Sequence, residues 1–182
     1  MAIDFSISTA TAADVPGLVT LVNNAYRGNS SREGWTTEAD LLDGQRTDDD
    51  TMLNLLSKQG SVVLTLKADG DKIYACVNLQ KQENKIYLGM LTVSPKLQGS
   101  GIGKTLLKAS EDYARENHFE SIMMTVISIR SELIAWYERH GYRATGETKP
   151  FPASDPKFGI PRQALEFIVM EKKILSKTKN TG

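Results

Sequence analysis

The chain has 182 residues, 40% of them hydrophobic, the size of one domain able to bury about two thirds of its unfolded surface. Twenty-two basic residues balance twenty-two acidic ones, so no overall field draws nucleic acid or an anionic membrane, and neither is expected as a partner. The one cysteine, Cys76, excludes an internal disulfide and sits in the apolar alternation "IYACVNL" as a small buried hydrophobe. With Asp4 in "MAIDFSISTA" and no run near the roughly 18 apolar residues of a membrane span, a soluble, cytoplasmic protein is expected.

A short strand is expected around Phe5 to Ser8. Thr11 and Asp14 form a helix-opening box, and Val15, Leu18, Val22 and Ala25 then share one helical face. After the loop "YRGNSSREGWT", a second Thr-x-x-Asp pair, Thr37 and Asp40, predicts a helix through "EADLLDGQ", continued by "DDDTMLNLLSKQG" to Gly60. "SVVLTL" and "KIYACVNLQ" flank the turn at Asp69 and Gly70, and "KIYLGMLTV" follows the polar turn "KQEN", which makes three antiparallel strands. Next comes a helix with Ile102, Leu106, Leu107, Ser110, Tyr113 and Ala114 inward, and Lys108, Glu111, Arg115 and Glu116 outward. "SIMMTVI" is a strand, "SELIAWYERHG" a helix stopped by Gly141, and "YRATGE" and "ALEFIVME" are closing strands. One domain is expected over residues 1–175 with a polar, solvated tail at 176–182, in an α/β (α+β) mixed-sheet class.

The stretch "VSPKLQGSGIGKTLL" ends like a P-loop in Gly-Lys-Thr, but the first glycine of that motif falls on Gln98. The strand "SIMMTVIS" also ends without the aspartate that would hold magnesium. A dinucleotide fingerprint fails as well, because its third glycine falls on Lys104. The physics that remains is a diphosphate cradle. Gly99, Gly101 and Gly103 let backbone approach a ligand, and the unpaired N–H groups and dipole of the following helix attract negative charge. Lys104 and Thr105 fit either phosphate contacts or an ordinary exposed helix face.

Gln98, Gly101 and Gly103 match Q-x-x-G-x-G, preceded by V-x-P at Val93 and Pro95, and "WYERHGY" (136–142) supplies a tyrosine, a charged pair and Gly-aromatic downstream. In both motifs, and in the order of elements from about residue 3 to 174, the chain resembles the GCN5-related N-acetyltransferase family. The resemblance implies a central, mostly antiparallel sheet splayed at the cofactor strand and flanked by helices, with acetyl-coenzyme A as cosubstrate and no metal. It places the cofactor against Leu91, Thr92, Val93, Gln98, Gly99, Ser100, Gly101, Ile102, Gly103 and Lys104. The strand residues act through backbone, as an added strand would, and Ile102 offers only its N–H while its side chain anchors the core.

The resemblance further implies direct transfer to a primary amine, of a small molecule or an exposed protein, with Tyr137 in the family's general-acid position. A phenol of pKa about 10 is protonated at neutral pH and able to donate to a leaving thiolate. By spacing alone, Tyr137 four residues after Leu133 fits a packed core equally well. Arg130 stands where family members often carry Asn, and an arginine there could reach a phosphate. The cofactor strand carries no carboxylate to act as base; Glu33 and Glu83 are candidates that also fit surface charges, and Trp35 fits either an acceptor wall or a packed plug. His118 and His140 read as solvated helix ends. The long loop 149–163, with four prolines, is expected to shape the acceptor pocket. Three functions stay open: an N-acetyltransferase, monomeric or homodimeric; a catalytically degenerate acyl-coenzyme A sensor of the same fold; and nucleotide hydrolysis.

Overall fold

The computed structural model describes residues 3–152, 155 and 159–174. The expected tail at 176–182 and part of the proline-rich loop lie outside the described residues. The chain opens with β1 (Ser6–Thr9) and a 3-10 turn (Ala12–Asp14) that leads into α1 (Val15–Tyr26). The box forms as expected, with Asp14 Oδ2 accepting the Thr11 N–H at 2.9 Å. Val15, Leu18, Leu21, Val22 and Ala25 are the buried stripe of α1.

The second helix is shorter than the sequence pattern predicts. Residues 38–47 turn and bend around the two-residue β2 (Leu42–Asp43), and α2 covers only Asp49–Ser57. One local and one tertiary fact move the helix start. Asp48 is the working N-cap, its Oδ1 taking the Thr51 N–H at 2.7 Å. Asn23 of α1 also clamps the backbone just before it: its Oδ1 accepts from Arg46 N at 2.9 Å and Thr47 N at 3.0 Å, and its Nδ2 donates to Thr47 O at 3.0 Å.

The sheet strands follow as β3 (Ser61–Ala68), β4 (Lys72–Gln82) and β5 (Lys85–Val93). Then come α3 (Ile102–Glu116), β6 (Ser121–Ile127), α4 (Ser131–Arg139), β7 (Arg143–Pro150), β8 (Ile160–Pro161) and β9 (Glu166–Lys173). Seven strands form one sheet in the order β1-β3-β4-β5-β6-β9-β7, and β2 pairs with β8 in a small second sheet. Every pair is antiparallel except β5 with β6. That parallel pairing covers only Lys85–Tyr87 against Ser121–Met123, beyond which the two strands separate. Next to the gap β5 carries a bulge: the register passes from Asn78↔Gly89 to Cys76↔Thr92, so Val77 of β4 spans both Met90 and Leu91. Met90 takes the left-handed φ of 56° that the extra residue requires.

Helices cover both faces. On one, α3 and α4 bury Ile102, Leu106, Leu107 and Tyr137 against Ala75, Val77 and Leu79; on the other, α1 and α2 bury Leu18, Val22 and Met52 against Val63 and Cys76. Each fully buried aliphatic side chain contributes about 1.5–3 kcal/mol. Glu111, expected to face outward, instead turns to the sheet, where Lys172 Nζ donates to its Oε1 at 2.8 Å and the Tyr142 hydroxyl at 3.4 Å. Among the described residues no helix is long and apolar enough to cross a membrane.

Candidate active site

The glycine loop forms the N-cap of α3. Gly99 and Gly101 hold left-handed φ values of 83° and 88°, and a Cβ added at either would meet nothing within 4 Å, so open space stands over the loop. The helix has no side-chain cap, and its ladder starts with Thr105 N–H to Gly101 O at 3.0 Å. The first amides of α3 therefore lack intrahelical acceptors at the positive end of a fifteen-residue helix. These residues fit a diphosphate such as that of coenzyme A.

This loop borders a cleft of about 420 Å³. Leu91, Thr92, Val93, Gln98, Gly99, Gly101, Gly103, Lys104, Arg130, Trp35 and Tyr137 all line it, so the structure brings together most of the residues singled out in the sequence. Ser100 and Ile102 do not line it: the Ser100 hydroxyl turns back to Leu97 O at 2.5 Å, and Ile102 is buried in the core. Gln98 points its amide inward, donating to Val93 O at 3.2 Å, with its Oε1 buried and unpartnered among the described residues. Trp35 is 45% exposed and lines this same cleft, not the second cavity described below.

Glu33 and Glu83 lie elsewhere. Glu33 is exposed with its carboxylate 4.0 Å from Lys96 Nζ, and Glu83 sits in the β4–β5 turn with a φ of 55°, at the end of β5 remote from Leu91. Neither lines the cleft.

A second cavity of about 500 Å³ occupies the gap between β5 and β6. It shares Tyr26, Leu91, Arg130, Leu133 and Tyr137 with the first, so the two meet at the bulge of β5. The Tyr26 hydroxyl holds that point, donating to Leu91 O at 2.5 Å. Tyr137 is 6% exposed, and among the described residues its hydroxyl has no hydrogen-bond partner. Burial, then the neighbouring Tyr26 phenol, pushes its pKa well above the usual phenol value, with Arg130 only partly offsetting this.

The motif "WYERHGY" acquires a physical meaning. Gly141, at φ 90°, ends α4 in a Schellman motif: Tyr142 N donates to Tyr137 O at 3.1 Å and Gly141 N to Glu138 O at 3.0 Å. The hydrophobic contact that accompanies this motif is the edge-to-face pair of Tyr137 and Tyr142, 5.8 Å between centroids. Glycine and the second aromatic thus fix the first tyrosine at the junction. His118 takes the analogous position after α3, at φ 62°, whereas His140 faces the cleft, its ring 4.3 Å from that of Trp136.

Arg130 does not extend toward the glycine loop. Only 5% exposed, it donates through Nη1 to Glu38 Oε1 at 3.0 Å and through Nη2 to Thr36 Oγ1 at 2.6 Å. Arg27 Nη1 engages the other oxygen of Glu38. This buried Arg-Glu-Arg cluster joins α1, the loop after it and the start of α4. Sequence reasoning missed it because nothing local pairs residues 92 positions apart; the one signal available was a glutamate and two arginines flanking the predicted loops.

A profile of the acetyltransferase (GNAT) family matches residues 22–142. The chain belongs to the acetyltransferase (GNAT) family. Over 80 residues it is 31% identical to "Probable N-acetyltransferase 14" of Xenopus tropicalis, a match spanning 43% of this chain and 39% of that protein. It is likewise 29% identical to streptothricin acetyltransferase of Streptomyces lavendulae, over 43% of this chain and 42% of that one. The chain thus spans about two fifths of the length of these curated relatives. In fold, this GNAT chain is similar to the PaiA N-acetyltransferase of Thermoplasma acidophilum, solved in complex with coenzyme A, at a TM-score of 0.67 and 18% identity, covering 93% and 99% of the two chains.

Proposed function

We propose that this GNAT chain is an acetyl-coenzyme A dependent N-acetyltransferase, acting in the cytoplasm by direct transfer to a primary amine. The observation that carries this reading is the meeting of two cavities at Leu91 and Tyr137: one lined by the glycine loop, the other opening from the far side of β5. Acetyl-coenzyme A, when bound, supplies an acetyl group activated as a thioester. The amides that open α3 hold its diphosphate, with Lys104 at the rim, and the β5 backbone beside the gap aligns its arm. The apolar walls from Leu133 and Trp136 exclude water. Tyr137 keeps a proton on its hydroxyl for the departing thiolate, and the proton that the attacking nitrogen loses as the amide forms restores the phenol through solvent.

A non-catalytic acyl-coenzyme A binder of the same fold is the second reading. It is favoured by Glu38, the sole carboxylate among the described residues that line the second cavity, being held on both oxygens by arginines and so poorly suited to serve as a base. The test mixes protein, acetyl-coenzyme A and a panel of amines and follows free thiol. Amine-dependent thiol release supports the enzyme, whereas tight coenzyme A binding with no release for any amine supports the binder.

A further inference from the structure

The second cavity carries more charge than a plain amine site needs. Among the described residues Glu38 is the one acid that lines it, against Arg27, Arg46, Arg130 and Lys58. Arg27 and Arg130 are both paired with Glu38, and Arg130 also has Glu132 Oε1 3.8 Å from its Nε, so the cationic side chains left over along the cavity are Arg46 and Lys58. Arg46 has no carboxylate within ion-pair distance among the described residues. Its backbone is clamped by Asn23, and its guanidinium lies 5.5 Å from the centroid of the Tyr26 ring. The hydroxyl of that ring donates to Leu91 O, so a single phenol links an uncommitted guanidinium to the point where the two cavities meet. Leu42, Met124, Ile127, Phe151 and Phe167 supply an apolar part of the remaining wall, beside polar residues such as Asn54, Asn78 and Thr125.

A polycationic acceptor is repelled by such a cavity. We propose that the acceptor is a small anionic amine, a primary amine with a carboxylate a few bonds away and an apolar side chain, of the kind found in free apolar amino acids, with Arg46 receiving the carboxylate. The inference rests on taking the second cavity as the acceptor side. The same charges serve the chemistry. A positive environment disfavours the ammonium form, so the amine gives its proton to solvent before entering, and a site without a free carboxylate base still receives a neutral nucleophile. The volume suits a small molecule.

The test compares leucine, methionine and phenylalanine, each with its carboxamide, and spermidine, as acceptors for the full chain with acetyl-coenzyme A. At least one acid should exceed its carboxamide by about tenfold or more in kcat/KM, the scale of one charge-assisted hydrogen bond. The carboxamides hold more neutral amine at neutral pH, so the comparison is biased against this outcome. Arg46→Gln should bring acid and carboxamide to within about threefold of each other while coenzyme A affinity, measured by calorimetry, stays within about twofold, because Arg46 lies outside the cofactor cleft. Carboxamides equal to or better than acids, spermidine as the best acceptor, or a preference that survives Arg46→Gln would each overturn the proposal while leaving the acetyltransferase reading in place. If no amine is acetylated although acetyl-coenzyme A binds, the enzyme reading falls, and titration of the acid and carboxamide pairs into the coenzyme A complex decides separately. Tighter binding of an acid upholds the anionic site, and equal or undetectable binding overturns it.

Discussion

The hydroxyl of Tyr26, on α1, donates to the main-chain carbonyl of Leu91 at 2.5 Å, across 65 residues of sequence and at the bulge where the two cavities meet. Tyr26→Phe keeps the ring, and with it the stack of Arg46, but leaves the carbonyl without this donor. The expected loss is about 1–3 kcal/mol in urea unfolding, the cost of an unpaired polar group. A variant as stable as the wild type would show that water replaces the phenol there.

Tyr137→Phe separates packing from chemistry. The edge-to-face contact with Tyr142 survives, so stability should change little, while single-turnover transfer should fall roughly 10²- to 10⁴-fold with acetyl-coenzyme A affinity unchanged. A Phe variant keeping more than about a third of the rate, far above the 10² bound, would return Tyr137 to the core.

The raised pKa of Tyr137 fixes the sign of its pH effects. Burial favours the neutral phenol in the folded state, so the wild-type rate should show no Tyr137 ionisation up to about pH 10, the ordinary phenol value. Above it, the unfolded chain loses this proton first, and stability contributed by the group is lost as pH climbs toward the higher folded-state value. Urea midpoints measured from pH 9 to 11 should therefore decline more steeply for the wild type than for Tyr137→Phe; equal slopes would contradict the burial.

Gly34 and Gln98 are pressed together between the loop after α1 and the cofactor loop. A Cβ built on Gly34 would come within 2.1 Å of Gln98 Oε1, although Gly34 itself has an ordinary φ of −89°. Gly34→Ala therefore displaces the Gln98 amide and breaks its bond to Val93 O. Coenzyme A affinity should fall by about two- to tenfold, the scale of one hydrogen bond. Unchanged affinity would show that the loop yields without disturbing the cleft.

Glu38→Ala leaves the guanidinium groups of Arg27 and Arg130 buried without the carboxylate between them. Breaking a buried pair costs about 3–5 kcal/mol, which for a chain of this size lowers Tm on the order of 10 °C. A loss below 1 °C in differential scanning calorimetry would mean the cluster is hydrated and idle.

Cys76 is fully buried on β4, and burial pushes its thiol up to about 12. A thiol reagent at pH 8 should find no reactive group in the folded protein and one in denaturant. Reaction in the native state would indicate frequent opening of β4, one of the inner strands of the sheet.

The sequence alone was sufficient where the deciding physics is local. Alternating apolar residues set β3, β4 and β5, and Gly99, Gly101 and Gly141 mark the left-handed positions that start α3 and end α4. The family likeness, carried by Gln98, Gly101, Gly103, Tyr137 and Gly141, was legible for that reason. Tertiary structure decided what depends on long-range pairing. Thr37 and Asp40 have the spacing of a helix start, yet Asn23 clamps the chain downstream and the real cap is Asp48, because three hydrogen bonds from α1 outweigh a local propensity of a few tenths of a kcal/mol per residue. Arg130 is chemically suited to a phosphate, but burial obliges its charge to find a partner, and the nearest is Glu38, brought up by the fold. The charge of the second cavity arises in the same way: Arg27, Arg46, Lys58 and Arg130 are scattered over a hundred residues of a chain with no net charge, and only the gap between β5 and β6 gathers them along one cavity.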